Sequence, residues 1–111
     1  MKKIIRSYNL EDKKEQYNTL NASAEKLSKH VGERIQVSKW ALIENTNEDT
    51  GEVSYAFSCT STDGERFGTN SRAFIEGLNT FLEIFGDDGL DSFEVGSRTS
   101  KSGRSYIYFM A

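Results

Sequence analysis

Toward its C-terminus the chain sets Arg98, Lys101 and Arg104 among Ser, Thr and Gly residues, and then places Tyr106 and Tyr108 two positions apart. Cations can follow the phosphates of an unpaired nucleic acid strand while aromatic rings stack on its bases, a combination that demands no particular sequence. Alternation along a strand would put both tyrosines on one face. They serve either as that stacking surface or as the cover of a second hydrophobic patch. Lys39, Arg66 and Arg72 extend the positive track if their faces turn the same way. Trp40 is either a further platform or part of the core.

Other reactive residues are few. His30, the only histidine, lies at the end of a short helical stretch, where a solvent-facing or capping role suits it better than catalysis. Cys59, the only cysteine, falls on the apolar side of an alternating strand beside Phe57, which suits a buried, inert thiol. It can form no internal disulfide and has no companions for a zinc site. Asp87, Asp88 and Asp91 lack the ligand spacing of a calcium loop and read as turn and capping residues. No glycine-rich phosphate loop follows a strand. The expected protein is not an enzyme and needs no cofactor or metal.

Elements of regular structure must position these side chains. Arg34 to Ile43 is rich in β-branched and aromatic residues and reads as the first strong strand. Perfect alternation would put Lys39 inside with Ile35 and Val37, whereas a bulge near Lys39 would bury Trp40 and Leu42. Val53, Tyr55, Phe57 and Cys59 mark the apolar side of a second strand. Asp63-Gly64 turns the chain into a third, Glu65 to Gly68. A helix capped by Asn70 or Ser71 and stopped by Gly86 carries a stripe of Phe74, Ile75, Leu78, Phe81, Leu82 and Phe85. Ser92 to Val95 and Ser105 to Met110 are the last strands, with Ser97 to Gly103 as the loop between them.

The order strand, strand, strand, helix, strand, strand is that of an OB-fold-like five-stranded barrel, mainly β with one central helix. Ile35, Val37, Val53, Phe57, Phe93, Ile107 and Phe109 would fill it. Residues 33–111 form this domain and residues 1–32 an irregular or partly helical extension. In the extension, Lys2 to Tyr8 suits a short strand, Asn9 to Tyr17 a loop or helix, and Asn21 to His30 a brief helix through Ala24, Leu27 and Val31.

With 111 residues the chain has room for one core, and its seven Phe, five Tyr and one Trp can supply it. No apolar run is long enough to span a bilayer, so a cytoplasmic protein is expected. The net charge of −3 is unevenly distributed. Residues 1–34 carry +3, residues 35–60 carry −3, residues 61–95 carry −6 and residues 96–111 carry +3.

Several short stretches carry a family likeness: Tyr17-Asn18, Val31-Gly32-Glu33, Asp63-Gly64, Thr69-Asn70-Ser71, Ile84-Phe85-Gly86, and Lys101-Ser102-Gly103-Arg104-Ser105-Tyr106. Through these the chain resembles the small single-stranded DNA-binding proteins of phages and mobile elements of Gram-positive bacteria. The resemblance implies sequence-independent binding of single strands in phage replication or recombination, as an oligomer, with host or phage replication proteins as possible partners. A competing reading takes the eight carboxylates between Asp63 and Glu94 as an imitation of a phosphate backbone. The chain would then be a small phage protein that binds and inhibits a host protein such as a defence nuclease.

Overall fold

The computed structural model describes residues 1–21 and 24–111. Its elements are β1 (Lys2–Tyr8), α1 (Lys13–Asn21), β2 (Glu25–Lys26), a 3-10 turn (Leu27–Lys29), β3 (Arg34–Thr46), β4 (Val53–Ser61), β5 (Arg66–Thr69), α2 (Arg72–Phe85), β6 (Ser92–Thr99) and β7 (Ser105–Met110). One curled sheet runs β2-β5-β4-β3-β6-β7, and β1 pairs with β3. Among the described residues no ladder joins β5 to β7, so the sheet is an open, OB-like half-barrel. Among them, too, no helix is long and apolar enough to cross a membrane.

Strand β3 makes the curl possible, because Arg34–Gln36 pair with β6 while Val37–Thr46 pair with β4. The register slips between Val37 and Lys39, leaving Ser38 as the extra residue of a bulge. This slip settles the alternatives left open for the strand. Ile35 is buried before it, and Trp40 and Leu42 are buried after it. Trp40 is only 1% exposed, and its indole Nε1 donates to the Asp87 carbonyl at 3.1 Å. A ring so enclosed has no face to offer a base, which removes Trp40 from the set of stacking residues.

Helix α2 lays Phe74, Ile75, Leu78 and Leu82 into the concave side of the sheet. Phe57, Phe74, Phe93 and Phe109 meet there, their ring centroids 5.4 to 5.9 Å apart in the Phe57–Phe74, Phe57–Phe93, Phe74–Phe93, Phe74–Phe109 and Phe93–Phe109 pairs. Ser71 caps the helix, its Oγ accepting from the Phe74 amide and donating to the Ile107 carbonyl of β7. Gly86 ends it at φ +82°, a conformation that glycine adopts without strain. Two expected core residues lie elsewhere. Phe85, in the last turn of α2, is 59% exposed and stacks on Phe81, and Val53, where the β3–β4 hairpin enters β4, is 48% exposed.

The first 32 residues are more regular than the sequence suggests. β1 pairs along β3 from Lys2–Asn45 to Tyr8–Trp40. Instead of a helix over Asn21 to His30, Glu25 and Lys26 form a parallel pair with the free edge of β5, and Leu27 enters the core. Two further residues of that expected helix, Ala22 and Ser23, lie outside the described residues.

Candidate nucleic-acid interface

Strand β6 continues to Thr99, three residues into the stretch that composition marks as loop. Arg98 therefore sits on a strand, opposite Tyr106, while Gly96 is opposite Tyr108. The alternation turns Ile107 and Phe109 toward the helix and leaves Arg98, Tyr106 and Tyr108 together on the outer face. Tyr106 is 38% exposed and Tyr108 is partly buried, so neither ring is sealed inside. The hairpin tip is pinned by its own bonds: the Ser100 amide donates to the Arg104 carbonyl at 2.8 Å, and the Gly103 amide to the Ser100 carbonyl at 2.9 Å. Lys101 and Arg104 project from it, exposed.

Among the described residues, no carboxylate lies within ion-pairing distance of Arg98, Lys101 or Arg104. Free cations beside an exposed ring are what a phosphate backbone with unpaired bases needs. The cations farther back in the chain are differently engaged. Lys39 Nζ is 2.7 Å from Glu15 Oε1, and Arg66 Nη2 donates to the Asn18 carbonyl at 3.2 Å. Both partners belong to α1, which packs on β1 and engages these two cations of β3 and β5. Arg6 pairs with Asp87, the aspartate whose carbonyl accepts from Trp40.

Where β5 and β7 fail to meet, a cleft of about 810 Å³ opens. Gly68 and Thr69 form one wall, Ser105 to Ile107 the other, and Asn70 to Ala73 at the start of α2 the floor between them. Tyr106 stands at its rim, belonging both to the outer face and to the cleft. Arg72, its side chain 93% exposed, reaches over the cleft beside Glu76, with Nε 3.2 Å from Oε1. The partial positive end of the α2 dipole bears on the same space. Arg72 also lines a second cleft with Lys2, Leu20 and Tyr55, so a path runs around the start of α2 from Tyr106 to Tyr55.

The structure thus brings together Arg98, Lys101, Arg104, Tyr106 and Tyr108, with Arg72 adjoining, and separates Lys39, Arg66 and Trp40 from them. Sequence reasoning missed Lys26, which lines the first cleft, and Tyr55, which is 43% exposed in the second. Lys26 sits on a two-residue strand that has no periodicity to read. Tyr55 follows Val53 on the apolar side of an alternating strand, a pattern that reads as buried and carries no sign of its exposure.

Cys59 and His30 stand outside this interface. Cys59 is 1% exposed, and burial pushes its thiol up to about 12. His30 Nδ1 lies 2.8 Å from Glu33 Oε2, with its ring edge-on to Phe67 at 4.9 Å, at the end of the 3-10 turn.

Comparison with known proteins agrees with the likeness seen in the short stretches of sequence. A Phi29-type family model described as phage single-stranded DNA-binding protein matches residues 1–110. No curated protein and no solved structure matches the chain. The match spans both clefts, the cationic hairpin and the N-terminal strand and helix alike, and the chain belongs to this family of phage single-stranded DNA-binding proteins.

Proposed function

We propose that the protein holds single-stranded DNA without regard to base sequence, as a non-catalytic component of phage replication or recombination inside the host cell. The observation that carries the reading is the set of unpaired cations, Arg98, Lys101 and Arg104, around Tyr106 at the mouth of the open barrel. Lys101, Arg104 and Arg72 neutralise phosphates, and Tyr106 stacks on a base. Because every base has a π-face and every nucleotide a phosphate, such contacts favour no sequence. The lack of catalysis is supported by Cys59 and His30, which are committed to the core and to a turn.

Fluorescence anisotropy with labelled oligo-dT, duplex DNA and RNA, each at two salt concentrations, tests the proposal. Oligo-dT binds with strong salt dependence, and replacing both Lys101 and Arg104 by Ala lowers the slope of log affinity against log salt by about 1.4, or about 0.7 per phosphate released. Equal affinity for duplex and single strand would count against it.

A further inference from the structure

Tyr108 lies down across β6 rather than standing away from the sheet. Its cross-strand partner is Gly96, and a Cβ at that position would collide with the ring, meeting Cε1 at 2.7 Å. Only glycine leaves the ring this seat. Arg98, two residues further along β6, then places its guanidinium carbon over the ring, 4.3 Å from the centroid. That is within the range of a cation–π contact, and a flat guanidinium stacks on an aromatic face in a way that an ammonium cannot. Arg98 is exposed, and among the described residues it has no carboxylate partner. Gly96, Tyr108 and Arg98 therefore build outward in that order, with the guanidinium outermost.

We propose that Arg98 is a stacking plate for a base of the bound strand, held flat by Tyr108, rather than a cation for a phosphate. The inference rests on the single-stranded DNA reading of this face and deepens it. Arg98 and Tyr106 are directly opposite in the ladder, where side chains start about 5 Å apart, so the plate and the exposed ring form adjacent platforms. Bases stack on guanidinium planes as they do on aromatic rings. Tyr108 is the positioning residue, and Gly96 provides its seat.

The decisive variant is Arg98→Lys, which keeps the charge and loses the plane. Titrated with labelled oligo-dT, it binds about tenfold more weakly than the parent at each salt concentration, with an unchanged salt slope. Tyr108→Phe keeps the ring and binds as the parent does. Tyr108→Leu loses as much as Arg98→Lys, and the double variant loses little more, because both changes remove one plate. Thermal melts of each variant confirm that the fold is intact. An Arg98→Lys protein that binds like the parent, together with an Arg98→Ala protein whose salt slope falls by about 0.7, would make Arg98 a phosphate contact and overturn the proposal. Binding indifferent to Tyr106→Ala and to the paired Lys101 and Arg104 changes would instead remove the single-strand reading of the whole face.

Discussion

Desolvation in the core pushes the Cys59 thiol up to about 12, outweighing the hydrogen bond with the Phe67 backbone that acts in the opposite direction. The unfolded thiol loses its proton near pH 8.5, so the native state keeps a proton that the unfolded chain gives up. The stability associated with this group is fully present below that pH and declines as pH rises toward the native value, by at most about 1.4 kcal/mol per pH unit. Between pH 8.5 and 10, urea melts of the parent should lose about 2 kcal/mol more than those of Cys59→Ala; parallel losses would mean the thiol is not sealed. The position of Cys59 could be read from sequence, since Phe57 and Cys59 alternate with small polar residues. The position of Arg98 could not. Ser, Thr, Gly, Lys and Arg on the outer face of a hairpin carry no apolar alternation, so the last turns of β6 look like loop until the pairing of Ser97 with Ile107 and Arg98 with Tyr106 is known. The consequence is functional, because a strand fixes Arg98 relative to both tyrosines where a loop would leave it free.

Among the elements, α2 was the most readable, its cap, stripe and stop all present as residue types, and the sheet supplied what no local pattern held. The bulge at Ser38 is one case: unbroken alternation would turn Trp40 outward and a bulge would bury it, and the pairing of Val37 with Ser61 and Lys39 with Thr60 decided for the bulge. β2 is another, since two residues on the edge of β5 give no period of their own. Helix α1 is a third. None of its residues is buried, although Glu15 and the Asn18 carbonyl tie it to Lys39 and Arg66 of the sheet, and a mostly polar helix of this kind resembles a loop in composition. Ser71 joins α2 to β7 directly, with Oγ 2.9 Å from the Ile107 carbonyl and accepting from the Phe74 amide. Ser71→Ala should cost about 1 kcal/mol in urea melts, and an unchanged midpoint would show that the cap contributes nothing to the closure of α2 on β7.

Across the whole molecule, the charge division seen along the chain becomes a division in space. β6 runs about 25 Å from Ser92, beside Asp91, to Thr99, beside the cationic hairpin. α2 covers about 20 Å from the cleft to Phe85, beside Asp87 and Asp88. One end of the protein is therefore cationic and holds Tyr106, and the other collects carboxylates around the exposed Ile84 and Phe85. A net charge of −3 is compatible with binding a polyanion because Asp87, Asp88 and Asp91 sit at the end of α2 and β6 away from the cationic hairpin. The overall charge conceals this, and only the placement of segments reveals it. Backbone amide NMR shifts followed during titration with oligo-dT test the assignment most directly. Perturbations should gather at residues 96–108, at 69–73 around the start of α2 and at Lys26, and leave residues 84–91 unmoved. Shifts concentrated at residues 84–91, with the 96–108 hairpin silent, would contradict it.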